Sequence, residues 1–129
     1  MAEIIILASL ASLCKLAIEG TDKALEEYKR RKLSEAEKEL LIAAARDGEF
    51  CVMHLNEVPN WIRAGGKDFI DHKAGDPAIA TKYLDAFTNL CKRGYINHVD
   101  GILFRLTYPG FEKARQLAGK TDKKKANKH

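Results

Sequence analysis

The chain lacks the features that would place it in a membrane or an oxidising compartment. Its most apolar stretch, Ile4 to Ile18, is interrupted by Ser9, Ser12 and Lys15 and falls short of the roughly 20 residues that span a bilayer. No basic residue precedes that run, so a secretory signal is not expected. The three cysteines, Cys14, Cys51 and Cys91, are an odd number scattered through apolar segments, which reads as reduced thiols in a cytoplasmic protein without disulfides. A surplus of one charge is missing from most of the chain as well. The formal charge is +4, but the last ten residues hold five lysines against one aspartate, so residues 1–119 carry 17 basic and 17 acidic side chains. The basicity belongs to residues 120–129, a polar lysine-rich tail expected to be disordered.

Signs of catalytic or metal chemistry are equally scarce. No serine, cysteine or lysine stands beside a positioned base, so neither an enzyme nor a cofactor is expected. Cys51 and His54, with Cys91 and His98, are zinc-ligand types, but residues three apart on a strand point to opposite faces, and no metal site follows. Gly65-Gly66-Lys67-Asp68 fails as a phosphate loop, because Trp61 stands where a glycine is needed and Asp68 where a serine or threonine is. Asp68, Asp71, His72 and Asp76 crowd one segment and read as turn-forming residues of a solvated loop.

Helical periodicity is plentiful at the start. Ile6, Leu10, Leu13, Ala17, Gly20, Ala24 and Tyr28 recur at steps of four and three, one stripe of a helix running towards Lys32. Gly20-Thr21-Asp22 is a place where it can break in two. The apolar surface of the first half, widened by Ile4, Ile5, Leu7, Leu16 and Ile18, must be covered, either by its own domain or by a second copy. Ile6, Leu10, Leu13 and Ala17 are the seam that would form a homodimer. Lys29-Arg30-Arg31-Lys32 closes the segment. There the cations oppose the negative end of a helix dipole and solvate the terminus, a reading preferred to a phosphate-binding patch because short basic runs are weak motifs.

Local stop and start signals then divide the chain. Ser34 and Glu37 match a capping box, and Asp47-Gly48 ends the helix they begin. Phe50 to Leu55 reads as a buried strand, Asn56 to Asn60 as a turn, and Trp61-Ile62-Arg63 as a returning strand before Gly65-Gly66. Trp61, Arg63 and Phe69 are candidate protein-interaction residues. Asp76-Pro77 starts a helix whose buried face carries Ala80, Tyr83, Leu84, Phe87, Leu90 and Cys91, with Thr81, Lys82, Asp85, Asn89 and Lys92 opposite. Two strands follow, joined by Asp100-Gly101, in a register that places Tyr95, Val99, Ile102, Phe104 and Leu106 inward. Thr107 caps a last helix with Pro109 in its first turn.

Leu84, Leu90, Lys92-Arg93-Gly94-Tyr95-Ile96, Phe104-Arg105-Leu106-Thr107, Gly110 and Ala114 together resemble the second half of bacterial winged-helix proteins. The likeness covers Ser34 to Ala118. It implies an α+β fold, mainly α: a winged-helix-like domain over residues 34–119 with an N-terminal helical extension over residues 1–33. It further implies a recognition helix from Pro77 to Arg93 and a wing at Asp100-Gly101. The expected function is a DNA-binding transcriptional or mobile-element regulator contacting the duplex through Thr81, Lys82, Asn89, Lys92 and Arg93. The alternative is a protein-interaction module that displays residues 49–76 on the same scaffold without DNA.

Overall fold

A left-handed glycine divides the N-terminal helix in two. The computed structural model describes residues 2–20, 23–55, 58–69 and 77–126, and in it α1 (Ala2–Glu19) ends at Gly20 with φ of 69°. After it come α2 (Lys23–Arg30) and α3 (Glu35–Ala44), then strands β1 (Glu49–Leu55), β2 (Val58–Ala64) and β3 (Lys67–Phe69). The chain continues through α4 (Pro77–Lys92), β4 (Ile96–Asp100), β5 (Leu103–Leu106) and α5 (Tyr108–Ala126). The strands form one antiparallel sheet in the order β3-β2-β1-β5-β4, so the architecture is α+β.

The predicted caps are the residues that start and stop these elements. Ser34 Oγ accepts from the Glu37 amide at 3.2 Å while Glu37 Oε1 accepts from the Ser34 amide at 3.4 Å, a complete capping box at α3. Gly48, with φ of 74°, donates to Ala44 and ends that helix. At the end of α4 the amides of Gly94 and Tyr95 donate to the carbonyls of Cys91 and Leu90, the double bond of a Schellman motif. Thr107 Oγ1 accepts from the Gly110 amide at the start of α5 and donates to the Gly94 carbonyl at 2.7 Å, tying α5 to the end of α4. Asp76, the expected cap of α4, lies outside the described residues.

The core forms where α4 crosses the sheet. Phe87 stands edge-on between Phe50 and Phe104, with ring centroids 5.4 and 5.2 Å away. Leu40 and Leu41 of α3 and Ile62 of β2 complete a fully buried centre. Cys14 of α1 belongs to the same cluster, as does Leu10. The N-terminal helix is therefore packed against the domain that follows, with α1 contacting α4 and β4.

One expectation needs correction. The β4–β5 register pairs Ile96 with Leu106, His98 with Phe104 and Asp100 with Leu103, with an irregularity between His98 and Asp100. Tyr95 is used up in the Schellman turn, so the strand begins one residue later and Ile96 takes the inward place. The turn shifts to Gly101-Ile102, leaving Val99 and Ile102 exposed at 47% and 38%. The slip reverses the faces of β4, whereas Phe104 and Leu106 of β5 are buried as expected. Within the lysine-rich segment 120–129, the α5 backbone runs as far as Ala126, and residues 127–129 lie outside the described residues.

Candidate functional site: a basic cleft beside the α4 C-terminus

Arg93 organises the region around it. Its Nε donates to Glu37 Oε2 at 2.7 Å, and its two terminal nitrogens donate to the carbonyls of Arg31 and Lys32. Those carbonyls follow the last turn of α2 and would leave partial negative charge there without a partner. One planar guanidinium, aimed by the Schellman turn, meets a carboxylate and two carbonyls at once, which a lysine could not do. The consequence is positional. The basic run is folded back across the α4–β4 corner, and Lys29 lies close enough that a Cβ on Gly94 would sit 3.8 Å from its Cε.

That fold-back makes a concave cleft of about 470 Å³. Its cationic wall is the run Lys29, Arg30, Arg31 and Lys32, faced by Lys38 from α3 and Lys113 from α5, with Arg93 beneath. Leu33, Tyr95 and Leu117 supply apolar and aromatic surface, and among the described residues no carboxylate lines the space. Among the described residues, three of the seven cations have acidic partners: Arg31 with Glu27 at 3.9 Å, Lys38 with Glu35 at 3.5 Å, and Arg93 with Glu37. The first two pairs are solvent-exposed and weak. An excess of positive charge remains in a cavity whose far elements are more than eighty residues from its first lysine. Neutrality of residues 1–119 as a whole thus conceals a local concentration.

The sequence-predicted residues fall elsewhere in several cases. Thr81 and Lys82 are exposed on the outer side of α4 together with Asp85, while Asn89 and Lys92 on the same stripe are half-buried. Lys82 Nζ lies 5.3 Å from the Tyr83 ring centroid. Arg93, expected to reach the duplex, is buried and serves as the clamp just described, which corrects that expectation. Trp61 and Phe69 are not exposed interaction anchors: they are 5% and 3% exposed. The Trp61 indole donates to Asp68 Oδ1 at 3.1 Å, Arg63 holds both oxygens of that carboxylate at 2.8 and 3.0 Å, and Phe69 packs against Tyr83. Leu10 and Ala17 are buried within the chain and Leu13 is half-buried against its core, so the seam assigned to a dimer is occupied internally. The Ile6 side chain lies outside the described set.

The remaining titratable groups show no catalytic arrangement among the described residues. Burial, followed by a hydrogen bond with Cys14, pushes the Cys91 thiol well above its ordinary value, and desolvation also raises Cys51. Raised thiol values oppose nucleophilic or ligand roles. Among the described residues no group of three His, Cys, Asp or Glu side chains could hold a metal ion, and no helix is long and apolar enough to cross a membrane. Asp71, His72 and Asp76 lie outside those residues. The cleft was legible in sequence only as the Lys29–Lys32 run, since nothing local connects that run to Lys38 or Lys113. Comparison with protein-family models, with curated proteins and with solved structures finds no match to this chain.

Proposed function

We propose that this chain is a small DNA-binding protein of regulatory type that holds nucleic-acid phosphates in the basic cleft. The single observation that supports this reading is the convergence of cations from three separate elements on a concavity that no carboxylate lines among the described residues. Phosphate contacts dominate nonspecific affinity for nucleic acid, and a local cluster serves that end even where most of the chain is neutral. The winged-helix resemblance of Ser34 to Ala118 agrees with the order of α4, the β4–β5 hairpin and α5. In this reading Lys82, Asn89 and Lys92 on the outer stripe of α4 supplement the cleft, while Asp85 limits what that stripe contributes alone. A cytoplasmic location fits the reduced thiols.

Fluorescence anisotropy with labelled DNA tests the proposal. Four phosphate contacts correspond to roughly a hundredfold loss of affinity between about 50 and 200 mM salt. Reversing the cleft charge by Lys32→Glu with Lys113→Glu is expected to remove most binding while the thermal melt is retained. Absence of binding at low salt, or affinity indifferent to salt, overturns the reading.

A further inference from the structure

We infer that the cleft seats one nucleotide of an unpaired DNA strand, its phosphates on the lysines and its base against Tyr95. This rests on the DNA-binding reading and specifies which form of DNA is bound.

A duplex presents its phosphates on a convex surface with the bases stacked inside, so its groups reach the rim of a concavity without filling it. At about 470 Å³, the cleft falls within the range that encloses a small organic ligand. Its lining is also divided in the way a nucleotide is. Lys29, Lys32, Lys38 and Lys113 offer cationic contacts for a phosphodiester, while Leu33, Leu117 and the Tyr95 ring offer surface for a base and its sugar. A cationic groove with an aromatic platform is the combination by which proteins hold single strands, because every base has a face to stack.

Tyr95 also borders a second, shallower depression of about 250 Å³, shared with Pro109, Glu112 and Gln116. Tyr95, half-buried against the core, lines both concavities, as does Lys113. Glu112 disfavours phosphate in the second depression, so a strand passing Tyr95 turns its backbone towards the cleft. The Schellman turn fixes Tyr95, and Arg93 fixes the basic wall opposite it.

The test uses the full chain with a labelled oligothymidine strand, a blunt duplex of equal length, and free ADP as competitor. The strand is expected to bind at least roughly tenfold more tightly than the duplex, in line with stacking of one base. ADP is expected to displace it. Tyr95→Phe keeps the ring and is expected to bind like the unaltered chain, whereas Tyr95→Leu loses about tenfold for the strand and little for the duplex. A strand carrying 5-iododeoxyuridine, cross-linked by light to the unaltered chain, checks the same point without a variant and is expected to mark the Tyr95 peptide. Equal affinity for strand and duplex, or cross-linking confined to the α4 outer face, overturns this inference and leaves the DNA-binding reading standing. Failure of both forms to bind at low salt removes both.

Discussion

Arg93 Nε and Glu37 Oε2 lie 2.7 Å apart, with both side chains buried and their positions 56 apart in the chain. Glu37 closes the capping box of α3 through one oxygen and neutralises Arg93 through the other. The pair therefore joins the start of α3, the end of α4 and the basic run at the end of α2. Removing one partner leaves a buried charge uncompensated, the costly way to break such a pair. Arg93→Met is expected to lower stability by about 3–5 kcal/mol in urea unfolding. The double variant Arg93→Met with Glu37→Leu is expected to recover much of that loss. A single variant with unaltered stability would show that the pair contributes nothing.

Much of the fold was legible because caps and stops operate within a few residues. Ser34 and Glu37, Asp47-Gly48, Arg93-Gly94 and Thr107 each satisfy backbone groups inside one turn, so their residue types state the outcome. The hairpin register was not legible, because it depended on Tyr95 being consumed by the α4 cap and on Val52 donating to the Ile102 carbonyl at 3.0 Å. The cleft was illegible for a related reason. Lys38 and Lys113 are unremarkable lysines of two helices until Arg93 holds the basic run over them. Trp61 misled for the opposite cause, its polar neighbour Asp68 folding back to satisfy the indole rather than leaving it to solvent.

The two glycines of the β2–β3 turn separate conformational strain from steric contact. Ala64 pairs with Lys67, so Gly65 and Gly66 form a two-residue hairpin loop, and both have positive φ, 59° and 79°. A Cβ on Gly65 would lie 2.0 Å from the Ala43 carbonyl oxygen, whereas one on Gly66 meets nothing within 4 Å. Gly66→Ala is expected to cost about 1–2 kcal/mol from left-handed backbone alone. Gly65→Ala must also move the backbone at the end of α3 and is expected to cost clearly more. Equal melting temperatures for the two would contradict the close approach of this turn to α3.

Burial orders the three thiols. Cys14 and Cys91 are fully buried where α1 meets α4, and Cys51 is half-buried on the sheet. Cys51 is raised by desolvation first and then by Glu49, so its thiolate is scarce at neutral pH. A colorimetric thiol reagent is expected to titrate one cysteine slowly in the folded chain, faster as pH rises, and three after denaturation. Rapid reaction of all three would show that α1 opens readily from the core.

Tyr83 gives the chain an alkaline dependence whose sign follows from its partner. Its hydroxyl donates to Glu39 Oε2, and that hydrogen bond, followed by desolvation and the nearby charge, pushes the phenol up to about 12. An unfolded tyrosine titrates near about 10, so the folded state retains this proton when the unfolded state has lost it. The contribution to stability is accordingly full below about pH 10 and is lost as pH rises towards about 12. Glu39→Gln keeps an acceptor without the charge and is expected to return the phenol part of the way to its ordinary value. The difference in ultraviolet absorbance titration between the unaltered chain and Tyr83→Phe isolates this group from the other tyrosines. A difference midpoint near about 10 would show that the α3–α4 contact carried by Tyr83 and Glu39 does not hold in solution.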